Sequence, residues 1–173
     1  MTVAKSKQGA IHSEVDRLQI AGLTWNFAPF GLIFTSRKFM EAARVVVAQE
    51  QGQTHVGWYP VGKYLACHSI ELSLKAFLTL KGERLLRAKR FGHNLSNLLD
   101  ISERRGLWDM VALSVDERTE IQRTSPYYSE KVFEYPSLVE AARAYPGEPD
   151  SSHLLAAAEK LVNDLYQPCQ QAA

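Results

Sequence analysis

Pro60-Val61-Gly62-Lys63-Tyr64-Leu65-Ala66-Cys67-His68-Ser69-Ile70-Glu71-Leu72-Ser73-Leu74-Lys75-Ala76-Phe77-Leu78-Thr79-Leu80-Lys81 is the stretch that decides the fold class. Proline suits the first turn of a helix, where its missing N–H would have no partner. Tyr64, Leu65, Ile70, Leu72, Leu74, Phe77, Leu78 and Leu80 then cover most of a helix circumference. A helix apolar on nearly every side belongs at the centre of a bundle, not on its surface. Gly82 is a natural C-cap. The expectation is a central helix from about Pro60 to Lys81.

Working outward, a helix from about Ser36 carries Phe39, Met40, Ala43, Val46 and Val47 at helical spacing and stops at Gly52. Downstream, His93 or Asn94 opens a third helix with Leu95, Leu98, Leu99 and Ile101, closed by Gly106. Ser114-Val115-Asp116-Glu117 is a capping box. It opens a fourth helix, expected to fade near Ser125-Pro126. Tyr127 to Pro149 reads as loop with a short helix over Ser137 to Ala144. The last helix starts at Asp150, Ser151 or Ser152 and carries Leu154, Leu155, Ala158, Leu161, Val162 and Leu165. Ahead of Ser36, Gly22, Pro29 and Gly31 interrupt any long helix. A short helix from about Ser13 to Ala21 and an aromatic-rich arm are expected there, packed on the bundle or pairing two chains. No alternating run bounded by turns suggests a sheet. The fold class is therefore all-α, an antiparallel up-and-down bundle of about five main helices. Residues 1–34 form the arm, 35–167 the bundle and 168–173 a tail.

At 173 residues the chain suits one domain and hides enough surface to hold a core without metal or disulfides. Cys67 falls in the apolar run and Cys169 in the polar tail, which makes neither a disulfide framework nor a zinc spacing. No cofactor or metal is expected. No apolar core follows Met1 to Ala10, so no signal peptide is expected. No run of ~18 apolar residues could span a membrane, and the expected location is cytoplasmic. A net charge of +1 leaves any message about partners to local clusters.

Two clusters stand out. His68, Glu71 and Lys75 step by three and four residues and share one helix face within about 60°. This polar stripe is either the solvated edge of a core helix, with Glu71 and Lys75 as an ordinary i,i+4 pair, or the lining of a cleft or two-fold interface. The segment after the helix is basic: Lys81, Arg84, Arg87, Lys89 and Arg90 face one acid, Glu83, with Arg104 and Arg105 beyond. Such a cluster can hold phosphates, and Phe91 and His93 beside it can stack on a base. The plain alternative is a solvated loop. Candidate ligand-binding residues are thus His68, Glu71, Lys75, Arg87, Lys89, Arg90 and His93.

Three segments resemble the HEPN family. Ala66 to Leu78, with Glu71 followed by Leu74-Lys75-Ala76, is similar to its central helix. Gly92-His93-Asn94-Leu95 with Leu98 and Leu99 looks like the Gly-His-Asp-Leu start of its next helix. Tyr127-Tyr128 and Phe133-Glu134-Tyr135-Pro136 resemble its Tyr…Arg-Tyr-Pro segment. The pieces stand in the family's order over about Phe39 to Tyr166. The resemblance implies a bundle of four or five helices, usually dimeric, of the kind found in toxin–antitoxin, abortive-infection and other RNA-linked defence systems. Active members are metal-independent ribonucleases in which an Arg and a His, with four to six residues between them, lie near the start of a late helix.

This chain departs from that pattern. His153 lies on the late helix, but Arg143 is too distant, with Pro146, Gly147 and Pro149 between them. Arg87 and His93 have the family-like interval, with five residues between them, but lie before the third helix. Glu134 replaces the arginine of Arg-Tyr-Pro. The expected function is a non-catalytic HEPN-like domain of a bacterial defence or toxin–antitoxin system that binds RNA, a nucleotide or a partner protein, as a homodimer. The alternative is a metal-independent endoribonuclease using His93 with Arg87 or Arg90.

Overall fold

The computed structural model describes residues 17–20, 23–26, 28–51, 60–85, 92–135 and 148–172. Among these residues five helices pack as a bundle: α1 Pro29–Gln51, α2 Pro60–Leu80, α3 Leu95–Arg104, α4 Val115–Ser129 and α5 Ser151–Gln171. A 3-10 turn, Leu107–Asp109, links α3 to α4.

Helix α2 is central and packs on α1, α3, α4 and α5. Ala66, Cys67, Ile70, Leu74, Phe77 and Leu78 are fully buried along it. Its closest partner is α1, held by small and polar groups. Ser36 Oγ donates to the Ser69 carbonyl at 2.8 Å and lies 2.7 Å from Ser73 Oγ, all three serines being buried. Ser36 sits by Ser69 and Ser73, whereas the Glu50 carboxylate accepts from the Gly62 N–H at 3.1 Å. These contacts run in opposite directions along the two helices. So do those of α1 with α5: Phe30 meets Tyr166, Arg44 meets Glu159 and Gln51 meets Ser152.

Local signals set most helix ends. Asn94 caps α3 by accepting from the Asn97 N–H, and the Ser114–Glu117 capping box is formed in full. Asp150 caps α5. Gly82, at φ 84°, closes α2 with Gly82 N–H on the Thr79 carbonyl and Glu83 N–H on that of Leu78, the paired bonds of a Schellman end.

Four expectations are corrected. First, α1 begins at Pro29, not near Ser36, so the arm does not extend to residue 34. Pro29 opens the helix at the turn where a proline costs nothing, and Leu32 and Ile33 are buried in the core. Second, Arg17–Ile20 and Leu23–Asn26 pair as an antiparallel ribbon, Leu18 opposite Trp25, where a short helix to Ala21 and no sheet were expected. Only Ala21-Gly22 separates the strands in the sequence, the length and glycine content of a tight hairpin connection. Third, α4 passes through Pro126 to Ser129. The Gln122 carbonyl, which the proline leaves without its helical donor, accepts from Ser96 Oγ at 3.4 Å. Fourth, residues 168–171 are helix rather than tail, and Cys169 is buried one turn beyond Leu165. The helix expected over Ser137 to Ala144 falls outside the described residues.

No helix among the described residues is long and apolar enough to cross a membrane.

Candidate functional site

The polar stripe of α2 is not a solvated edge. Glu71 is only 2% exposed, and a carboxylate taken from water must be neutralised and hydrogen-bonded by its surroundings. Lys75, one turn on, pairs with Oε1. Tyr128 of α4 donates its hydroxyl to Oε2 at 2.5 Å. His93, just before α3, brings Nδ1 to the same oxygen at 3.1 Å. Burial alone would raise the carboxyl pKa. The charge of Lys75 and the hydrogen bonds from Lys75, Tyr128 and His93 together outweigh it, and the carboxyl titrates below its ordinary range.

The network dictates tautomers. An ionised carboxylate only accepts, so His93 donates from Nδ1 and keeps Nε2 as its other nitrogen. Tyr128 spends its one proton on Glu71 and therefore accepts from His68 Nδ1 at 2.8 Å. His68 is thus also left with Nε2. Burial holds the imidazolium of His68 below its usual pKa, with the Glu71 charge pulling the other way. Burial, then the charge of Glu71, pushes the Tyr128 phenol well above its usual value, so it stays protonated. Phe39 of α1 meets His68 edge-on at 4.3 Å, and Tyr64 stacks nearly parallel to it at 6.0 Å.

A pocket of about 220 Å³ opens above this network, lined by Tyr64, His68, His93, Tyr128, Lys131 and Glu134. Its outer wall is the turn after α4. Lys131 adopts φ 60°, and the N–H groups of Lys131 and Val132 bond the carbonyls of Tyr128 and Tyr127. This is again a Schellman end, with lysine in the left-handed position that glycine usually fills. Lys131 Nζ lies 3.8 Å from Glu134.

Of the residues singled out in the sequence, His68, Glu71, Lys75 and His93 come together here. Arg87, Lys89 and Arg90 lie outside the described residues. His153 is exposed at the start of α5, 3.9 Å from Asp150, and does not line the pocket. Tyr64, Tyr128, Lys131 and Glu134 complete the site without having been nominated for it. Tyr128 lies 57 residues from its partner Glu71, and no local pattern marks such a contact. No group of three or more His, Cys, Asp or Glu among the described residues could hold a metal ion. In comparisons with known proteins, no family model, no curated protein and no solved structure matches the chain.

Proposed function

We propose that the chain is a HEPN-like domain that binds a nucleotide unit, free or within single-stranded RNA, in the pocket above Glu71. One observation carries this reading. Glu71, His93 and Tyr128 come one each from the three segments that resemble the family, and they meet in a single hydrogen-bonded cluster. The chemistry suits a nucleotide: aromatic faces for a base, imidazoles and Lys131 for a phosphate. Among the described residues no arginine lines the pocket, and Glu134 opposes Lys131, which favours binding over cleavage.

Metal-independent ribonuclease action is the second reading. It is favoured by the bond from His93 to the buried Glu71, which holds the ring with Nε2 available as a base. A homodimer fits either reading. Phe34 and Val45 are exposed apolar residues three turns apart on one face of α1. The mass in solution, by light scattering after size exclusion, would be that of two chains.

The test is fluorescence anisotropy with a labelled single-stranded oligoribonucleotide in chelator, at two salt concentrations, with the RNA then examined on a gel. Salt-sensitive binding weakened in Tyr64→Ala and His93→Ala, with intact RNA, is the expected result. Cleavage lost in His93→Ala would establish the second reading. Binding indifferent to both substitutions would refute the site.

A further inference from the structure

Among the described side chains, two buried nitrogens have no hydrogen-bond partner, Trp108 Nε1 and Arg118 Nε. Both residues line one small pocket, of about 170 Å³, between α3 and the start of α4. It shares no lining residue with the pocket above Glu71. Buried N–H groups are nearly always paired, and leaving one unmade is costly. Two such donors on residues lining one pocket call for an acceptor that enters from outside.

The surroundings define that acceptor. The Arg118 guanidinium lies 5.3 Å from the centre of the Trp108 ring. Among the described residues no carboxylate forms an ion pair with it, the pocket's own Glu103 included. The acceptor is therefore an anion, and an arginine N–H and an indole N–H lining one pocket can be met by the two oxygens of a carboxylate. Glu103 on the rim disfavours a doubly charged phosphate. Leu99 and Val115 add an apolar wall, and Val115 is left 66% exposed, a shelf for hydrocarbon. At about 170 Å³ the space takes a residue-sized group.

We infer that this pocket binds a carboxylate carried on a short branched apolar chain. Both donors are covered in the unliganded protein, so Arg118 turns off the indole as the carboxylate enters. A free short-chain acid and the C-terminal residue of a peptide share this chemistry.

The experiment uses the full chain with its tryptophans labelled with nitrogen-15. The Trp108 indole resonance is assigned by its loss in Trp108→Phe. Isovalerate, N-acetyl-leucine, a short peptide ending in leucine, and N-acetyl-leucinamide are titrated separately. The carboxylates should shift the Trp108 indole signal to saturation, leave those of Trp25 and Trp58 in place, and be followed by no response to the amide. Tighter binding of the peptide points to a protein C-terminus, and equal or tighter binding of isovalerate to a small acid. Trp108→Phe, followed through a labelled ligand, and Arg118→Met should each weaken binding roughly tenfold or more. Trp108→Phe removes an unpartnered donor and should leave the unliganded protein folded with little change in Tm. His93→Ala should leave this binding unchanged. An unmoved Trp108 signal, an equal response to the amide, or full affinity in both variants would overturn the proposal.

Discussion

Replacing Glu71 with leucine removes the acceptor at the centre of the polar network while keeping its bulk. Three donors lose their partner. His93 is 62% exposed and turns to water at almost no cost. Tyr128 keeps His68 Nδ1 at 2.8 Å, and a change of tautomer lets that nitrogen accept the phenol proton. Lys75 fares worst: its side chain is 15% exposed and its ammonium loses its counter-charge. Breaking a buried pair from one side costs ~3–5 kcal/mol, and the partial exposure of Lys75 sets the value near the lower end, about 3 kcal/mol. For a chain of this length that is a fall in Tm of roughly 6–12 °C. Urea and thermal unfolding followed by circular dichroism measure it, with Lys75→Met and the double variant completing a cycle. The double variant should recover at least half the loss, because apolar groups replace a buried pair without penalty. The pH dependence has a definite sign. The folded-state pKa of Glu71 is lowered, so its contribution is complete above the unfolded value of ~4.3 and disappears as pH falls through the folded one. Wild type should therefore lose stability on acidification more steeply than Glu71→Leu. A loss under about 1 kcal/mol at neutral pH, or a double variant no better than the sum of the singles, would refute the placing of an ionised Glu71 in a closed network.

Leu74 is fully buried on α2, and Leu74→Asp should abolish soluble folding, since an unpaired buried charge consumes most of a stability of ~5–15 kcal/mol; a soluble helical variant by circular dichroism would contradict the central position of α2. Lys131→Gly should raise stability by about 0.5–1 kcal/mol by relieving the left-handed backbone while weakening RNA binding at the pocket, measured by urea titration and anisotropy. Burial pushes the thiol of Cys169 up to about 12 and that of Cys67 higher still, so neither should react with a thiol reagent at neutral pH until the chain is unfolded.

What could be read from the sequence was what local physics controls. The apolar circumference of α2, the Asn94 and Asp150 caps and the Ser114–Glu117 box each depend on residues within a turn or two of one another. Apart from the ribbon of Arg17–Ile20 and Leu23–Asn26, a local pairing, the misreadings concern residues whose local preference is overruled from a distance. Pro126 looks like a terminus until Ser96, on another helix, supplies a donor for the Gln122 carbonyl. Pro29 and Gly31 look like breaks until Leu32 and Ile33 are seen buried in the core. Cys169 looks like tail until the apolar face of α5 is carried one turn past Leu165.

The site divides along the same line, and the charge on α2 explains why half of it was visible. A carboxylate at the middle of a helix buried on most sides cannot be left bare. Lys75, four residues on, supplies the charge and one donor, and that much is written in the spacing. It reaches only Oε1. Oε2 needs donors from other elements, and a rigid buried one must be short, such as the phenol of Tyr128, or arrive on a turn, as His93 does. The second requirement follows from the sequence even though the donors' identities do not. Glu71 on so apolar a helix therefore implies convergence of distant polar residues, and the pocket stands where they converge.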